Sequence, residues 1–391
     1  MDLAATPSPH PLAGASTPAS DPSSGPRVAY VATQGDGSSD EARIATLLAP
    51  LHPTRLPFDR AGGKARAGVQ LFRRLLRERP DVVVMEGTGI AGGAAVIAAR
   101  ALAGQAYVVS SGDAVGPYLA LQRRWLAPPG RLYERLLCRL SAGFIGWTPY
   151  LVGRAITLGA PTGMTAAHWA AQPTPERRRE LRRAFRREWS IPEEAIVVGL
   201  VGSLNWSHRR RYSYGLELVQ AARLTGRRDL RFVIVGDGDG LPRLRELAGE
   251  DDRILLCGRL ESERALAAMC AMDAASLPQS LDEVGALRYS TKLSEYLGAS
   301  LPVLTGRLPF AYDLDEGWLW RIEGSSPWDP AYVRGLARLL SALDRDEIAL
   351  RQRCIPEASP SFDLRRQQRG VFNFVSEVGS AARARLHRAS D

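Results

Sequence analysis

Lys292 and Glu295 stand three residues apart in Ser290-Thr-Lys-Leu-Ser-Glu295, setting a compact cation beside a carboxylate on one face of an expected helix. Ser290 and Thr291 supply hydroxyls where that helix would begin, which is capping chemistry. Gly298 offers a stop, and Leu301-Pro-Val-Leu304 reads as a short buried strand. A helix amino terminus behind a glycine-containing loop, here Asp282 to Tyr289, is a ready anion site. Lys292 would add positive charge there, and Glu295 a carboxylate of the kind that holds sugar hydroxyls. The chain has 51 Lys and Arg residues, yet its only lysines are Lys64 and Lys292. An ammonium does not replace a guanidinium where a tight site needs a point charge. Chance survival of a lysine in an Arg-rich chain is the other reading.

Further polar groups sit where strands end. Strand Arg27 to Thr33 runs into a glycine-rich turn containing Gly35, Asp36 and Gly37, then a helix from Glu41 to Leu51. The turn lacks the Gly-x-Gly-x-x-Gly dinucleotide fingerprint, so it reads either as a tight connection or as backbone that approaches a ligand closely. Asp113 follows the strand Ala106 to Ser110, either on the functional rim of a parallel sheet or as a cap for the next helix. Asp237-Gly-Asp239 looks like a metal-binding pair, but it follows a strand directly and reads as a connection.

Strands and helices alternate strictly. Asp81 to Met85 is a continuous apolar strand, as a sheet covered on both faces requires. The helix Ala65 to Arg79 has an apolar side and a basic one, which suits a core helix or a surface that lies on anionic lipid. Large apolar residues among basic ones from Tyr118 to Gly146 suggest core packing, with a groove for an apolar acceptor as the alternative. The pattern restarts at Ala195 to Ser203 and repeats through strands at Arg231, Arg253 and Ala274. The expected fold is α/β, with two Rossmann-like domains facing across a cleft. Residues 1–26, rich in Pro, Ser and Ala, read as a disordered tail. Domains are expected at 27–170 and 171–361, and a closing helix at 362–391.

Bulk composition agrees. A chain of 391 residues with 45% hydrophobic and 24% charged residues is a soluble, two-domain protein. A net charge of +9 favours anionic partners. Cys138, Cys257, Cys270 and Cys354 have no metal-ligand spacing and suit a reducing compartment. No secretory signal or membrane span is evident, so a cytoplasmic protein is expected, at most peripheral to the inner face of the membrane. A basic stripe carrying aromatics is missing, which argues against nucleic acid.

The second half resembles the donor domain of GT-B glycosyltransferases, in particular the large retaining group of family 4. Val201-Gly-Ser-Leu204 resembles the family's Val-Gly-Arg-Leu, and Ile234-Val-Gly-Asp-Gly238 its Val-Gly-Asp-Gly. Leu256-Cys-Gly-Arg259 resembles Phe-Leu-Gly-Arg, and Ser276-Leu-Pro-Gln-Ser280 its Leu-Pro-Ser. Thr291 to Val303 resembles Ser-Lys-Leu-x-Glu-Tyr-x-Ala-x-Gly-x-Pro-Val. The resemblance implies a nucleotide sugar as co-substrate, UDP-linked by preference, with no further cofactor and no metal. It implies a carbohydrate or lipid-linked acceptor on the first domain, and a last helix crossing back to that domain. Donor contacts would come from Gly202, Ser203, Cys257, Gly258, Arg259, Tyr289, Ser290, Thr291 and Glu295. Gly35, Asp36 and Gly37 would form an acceptor or phosphate loop.

Two departures assign further roles. The family's glutamate eight positions before Glu295 is Leu287 here, and Glu283 is the nearest acid. Ser203 replaces an Arg, whose charge Arg209, Arg210 or Arg211 could supply, Arg211 by preference. Lys292 and Arg211 would then stabilise the leaving group, Glu283 orient the hexose, and Asp113 contact the acceptor hydroxyl. A sugar-nucleotide 2-epimerase and a non-catalytic sugar-nucleotide-binding relative are the alternatives.

Overall fold

The computed structural model describes residues 25–357 and 359–388. The tail expected over 1–26 lies, but for its last two residues, outside the described residues. Two six-stranded sheets, parallel throughout, form two domains. The first contains β1 (Val28–Ala32), β2 (Thr54–Arg55), β3 (Val82–Glu86), β4 (Tyr107–Ser111), β5 (Gly143–Gly146) and β6 (Gly163–Thr165), ordered β2-β1-β3-β4-β5-β6. The second contains β7 (Ile196–Val201), β8 (Leu230–Val235), β9 (Ile254–Gly258), β10 (Ala274–Leu277), β11 (Val303–Gly306) and β12 (Leu319–Ile322), ordered β12-β11-β10-β7-β8-β9. Runs such as Val82-Val-Val-Met-Glu86 are buried along their whole length, because helices cover both faces.

Helices of the first domain are α1 (Ser39–Leu48), α2 (Lys64–Glu78), α3 (Ile90–Ala103), α4 (Val115–Gln122), α5 (Ala127–Arg139) and α6 (Pro149–Thr157). Those of the second are α7 (Pro175–Glu188), α8 (Leu216–Leu224), α9 (Leu241–Ala248), α10 (Ser262–Ala271), α11 (Thr291–Gly298), α12 (Phe310–Asp313), α13 (Pro330–Ala342) and α14 (Arg345–Arg353). The last helix, α15 (Leu364–Arg388), buries Val371, Val375 and Val378 with Val28, Tyr30 and Val82 of the first domain. Gln368 Nε2 donates to the Thr46 carbonyl at 2.8 Å, tying the same helix to α1.

α2 turns Ala67, Leu71 and Leu75 into the core, as the core-helix reading expects, and leaves Val69 half exposed. One segment differs from expectation. The segment from Tyr118 splits into α4, α5 and β5, and it is not all core: Trp125 is 67% exposed and Leu132 59%.

Parallel strands put every carboxyl-end loop of a sheet on one rim, and ligands settle where the strand order reverses. Those points are β1/β3 in the first sheet and β7/β10 in the second. At the second, Gly236 (φ 148°) lies so close to the Gly202 carbonyl that a Cβ would come within 1.8 Å of that oxygen. We expect Gly236→Ala to cost about 2 kcal/mol or more in urea unfolding, by strain and displacement of the Gly202 turn. An unchanged midpoint would show that the turn does not rest on this contact.

Candidate functional site

At the β7/β10 reversal a cavity of about 200 Å³ is lined by Gly202, Ser203, Tyr214, Ser276, Gln279, Ser290, Thr291 and Lys292, among others. The amino terminus of α11 opens on it. Ser290 Oγ caps that helix by accepting the Lys292 N–H at 3.3 Å. Lys292 Nζ donates to Glu295 Oε2 at 2.6 Å, one turn along the same face. Two polar groups lining the cavity are buried without a partner, Ser276 Oγ and Gln279 Oε1. Buried polar atoms left unpaired are uncommon, and a bound water or ligand can satisfy them. The arrangement offers a helix dipole, a lysine ammonium and spare polar groups to a small anion-bearing molecule.

The loop before α11 is organised by Asp282. Its Oδ1 accepts the Val284 and Gly285 N–H groups at 3.0 and 2.8 Å, and its Oδ2 accepts Ser280 Oγ at 2.8 Å. Arg210 Nη2 reaches the same oxygen at 3.2 Å while its guanidinium covers the Trp328 ring at 4.7 Å. From this loop Arg288 pairs with Asp113 of the first domain, and Thr148 Oγ1 donates to the Leu287 carbonyl at 2.7 Å. Nearby, His168 Nδ1 lies 3.4 Å from Ser294 Oγ on α11, and its ring stacks on Trp169. Burial, helped by the Arg43 charge, holds His168 below the usual histidine range.

The remaining expected residues are spread out. Glu283 is exposed, and its charge acts on Arg154 of the first domain. Arg211 is exposed with φ 50°; its neighbour Arg210 reaches the Asp282 loop instead, while Arg209 donates to the Leu121 carbonyl across the domains. Tyr289 is buried, edge-on to Tyr150, Phe310 and Phe362, and does not line the cavity. Cys257 is half-buried against the second domain's core, where burial pushes its thiol up to about 12, and Gly258 accepts the Gly236 N–H at 2.8 Å. These two and Arg259 lie off the cavity lining. In the first turn, Asp36 accepts the Phe58 N–H and pairs with Arg55 at 2.9 Å, and Gly37 donates to Glu41, contacts that shape the turn; its neighbour Gln34 lines the larger cavity described below. Asp237 and Asp239 likewise hold turns: Asp237 Oδ1 accepts the Gly238 N–H, and Asp239 Oδ1 accepts the Trp206 N–H.

Asp113 and Arg288 line a second, larger cavity of about 1020 Å³ at the β1/β3 reversal, with Thr33, Gln34, Arg60, Lys64 and Gly89 at its rim. Both lysines of the chain thus line ligand-sized spaces.

Two doubly wound parallel-sheet domains, each with a cavity at its strand-order reversal, have the architecture of the GT-B class. Residues 22–168 match the family described as a glycosyl transferase 4-like domain, and residues 195–327 match glycosyl transferases group 1. The chain belongs to the group 1 glycosyltransferases of GT-B fold. It is similar to the Anabaena protein HepE, solved with UDP and glucose, at 14% identity and TM-score 0.63, over 90% of this chain and 100% of that one. Sucrose-phosphate synthase from Thermosynechococcus elongatus gives 12% identity and TM-score 0.61, over 85% and 82% of the chains. The UDP-forming α,α-trehalose-phosphate synthase from Burkholderia xenovorans, solved with glucose 6-phosphate, gives 16% and 0.56, over 86% and 81%. At such identities the likeness is one of fold. No curated protein sequence matches the chain.

Under the loop that carries Arg209 to Arg211 lies a group the sequence reading missed. Glu217 Oε2 accepts Tyr212 OH at 2.8 Å and the Gly215 N–H at 3.1 Å, and Oε1 has no partner. Burial pushes its carboxyl up to about 7 from 4.5. The folded chain therefore keeps this proton where the unfolded chain has lost it, and stability falls as pH rises from 4.5 to 7. Glu217→Gln removes that dependence. Relative to the parent, the variant should gain up to about 3 kcal/mol between pH 5 and pH 8 in urea unfolding. Parallel stability–pH curves would mean that Glu217 ionises alike in the folded and the unfolded chain.

Proposed function

We propose that the protein transfers a hexosyl group from a nucleotide sugar, UDP-linked by preference, to a hydroxyl of a glycan, glycolipid or lipid-linked acceptor with retention of configuration. The observation that carries this reading is the cavity at the α11 amino terminus, with Lys292 beside it and two buried polar atoms unpaired. The bond from the sugar C1 to the diphosphate oxygen breaks, and a bond from C1 to the acceptor oxygen forms. As that oxygen attacks, its proton passes to the departing diphosphate oxygen on the same face of the sugar, where negative charge grows. A helix terminus and an ammonium fixed beforehand stabilise that charge without reorganising, and no metal or cofactor is invoked. Glu295, held by Lys292, orients ribose hydroxyls. Arg210, reaching the Asp282 loop, takes the part expected of Arg211. Asp113 contacts the acceptor hydroxyl from the larger cavity. UDP in the HepE complex and the UDP-forming neighbour support the choice of base.

In thermal-shift measurements UDP at a hundredfold excess over its Kd should stabilise the protein by about 2.7 kcal/mol, and GDP, ADP and dTDP by less. Lys292→Ala should lose that shift and at least about a hundredfold in turnover with its circular dichroism unchanged. Wild-type turnover in this variant would remove Lys292 from the chemistry. Sugar-nucleotide isomerisation without any acceptor would identify an epimerase instead.

Among the described residues no helix is long and apolar enough to cross a membrane. We further propose peripheral contact with an anionic bilayer at the cytoplasmic face. On α5 and the turn before it, Trp125, Leu132 and Leu136 are exposed among Arg123, Arg124, Arg131 and Arg135. Its one acid, Glu134, is buried and paired with Arg154 at 2.7 Å. Apolar side chains ringed by cations suit a headgroup boundary. Sedimentation with vesicles containing phosphatidylglycerol should weaken several-fold in a Trp125→Ala, Leu132→Ser double variant. Equal sedimentation would move the contact off this face.

A further inference from the structure

The larger cavity of the first domain is shaped as a groove with two unlike ends. It begins at the β1/β3 rim and runs along the starts of α2, α3 and α4. Small side chains on α3, including Ala91, Ala94 and Ala98, leave the space between the helices. From Ile90 to Ala98 the groove follows α3 for roughly 12 Å. Along it Ile90, Val69 and Tyr118 stay 56%, 50% and 44% exposed, and Phe58 and Phe72 line it further in. A contiguous apolar surface of this kind is unusual on a soluble domain and marks a binding site.

Charge is confined to the rim. Arg60 donates to the Gln34 carbonyl in the turn after β1, so it stands at the strand ends. Lys64 is the first residue of α2, a 15-residue helix whose cap, Gly63, supplies no side-chain hydrogen bond to the terminus. The groove's one acidic side chain is Asp113, already paired with Arg288. Net positive charge therefore sits at the mouth and none lines the α2–α3 walls beyond it.

We propose that the groove takes the hydrocarbon chain of an amphiphilic acceptor whose head carries a phosphate. Resting on the transferase reading above, this assigns the acceptor class. Arg60 and Lys64 hold the phosphate, the chain runs down between α2, α3 and α4, and the sugar-bearing end points to Asp113 and the cleft. Gln122 on the groove wall lies three residues from the exposed Trp125, which places this end of the groove beside the face proposed above to meet a bilayer.

The test is calorimetric titration of the full chain with inorganic, octyl, decyl and dodecyl phosphate below their micellar concentrations. Affinity should rise about fourfold per methylene, with inorganic phosphate far weaker. Ala94→Trp and Val69→Glu, both at exposed positions, should flatten that dependence while the UDP thermal shift stays at the wild-type value. Affinity independent of chain length, or the wild-type slope in both variants, would overturn the proposal. Loss of the UDP shift in the wild-type protein would instead strike the donor reading and leave the alkyl series to judge the groove.

Discussion

The Asp282 carboxylate is the constraint on which the site depends. Four donors converge on its two oxygens: two backbone N–H groups, the Ser280 hydroxyl and the Arg210 guanidinium. That knot folds the turn so tightly that a Cβ on Gly285 would come within 2.0 Å of the Ser280 carbonyl oxygen. Its result is directional. Leu287 and Arg288 are delivered to the first domain, and two residues later Ser290 is in place to cap α11. One short loop thereby fixes both the anion-facing helix terminus and the junction between domains.

Much of the chain's positive charge is built into its frame. Arg186, fully buried, donates to the carbonyls of Ala271, Pro192, Glu193 and Ala195 and pairs with Asp273 at 2.8 Å. Arg43 does the same in the first domain, with Glu86 at 2.8 Å, the Ala166 carbonyl and the Trp147 face. A planar fork with five donors suits such multiple carbonyl contacts; a flexible point charge does not. Both lysines line cavities, one in each domain, Lys64 together with Arg60 and Arg288. The net charge of the sequence is therefore partly architectural, which composition alone cannot reveal.

Local pattern made most of the fold legible. α8, α9 and β10 fall on the residues that periodicity marks, because their apolar spacing and flanking glycines leave few alternatives. The lysine, its carboxylate and the serine cap were equally readable, since all lie within one helical turn. Residues brought in by tertiary contact were not. His168 meets α11 across 126 positions, and Arg288 meets Asp113 across 175. Among three consecutive arginines, side-chain type could not choose; in the fold Arg210 reaches the Asp282 loop, while Arg211 is exposed on left-handed backbone. Tyr289 was misread because a residue beside a cap can face either way, and here three aromatic rings draw it into the core. The segment around Trp125 failed for the opposite reason: apolar type suggested burial where the helix is exposed.

The junction also couples the two cavities. Arg288 belongs to the second domain by sequence, yet it lines the first domain's groove. It stands close enough to Tyr214, on the wall of the smaller cavity, for its charge to act on that hydroxyl. The groove is therefore incomplete without the second domain, and any rotation between domains moves Arg288 relative to the groove while it stays with the smaller cavity. A ligand that draws on Arg288 from either side must compete with Asp113 for it. One guanidinium thus faces the groove directly and acts on the wall of the smaller cavity through its charge.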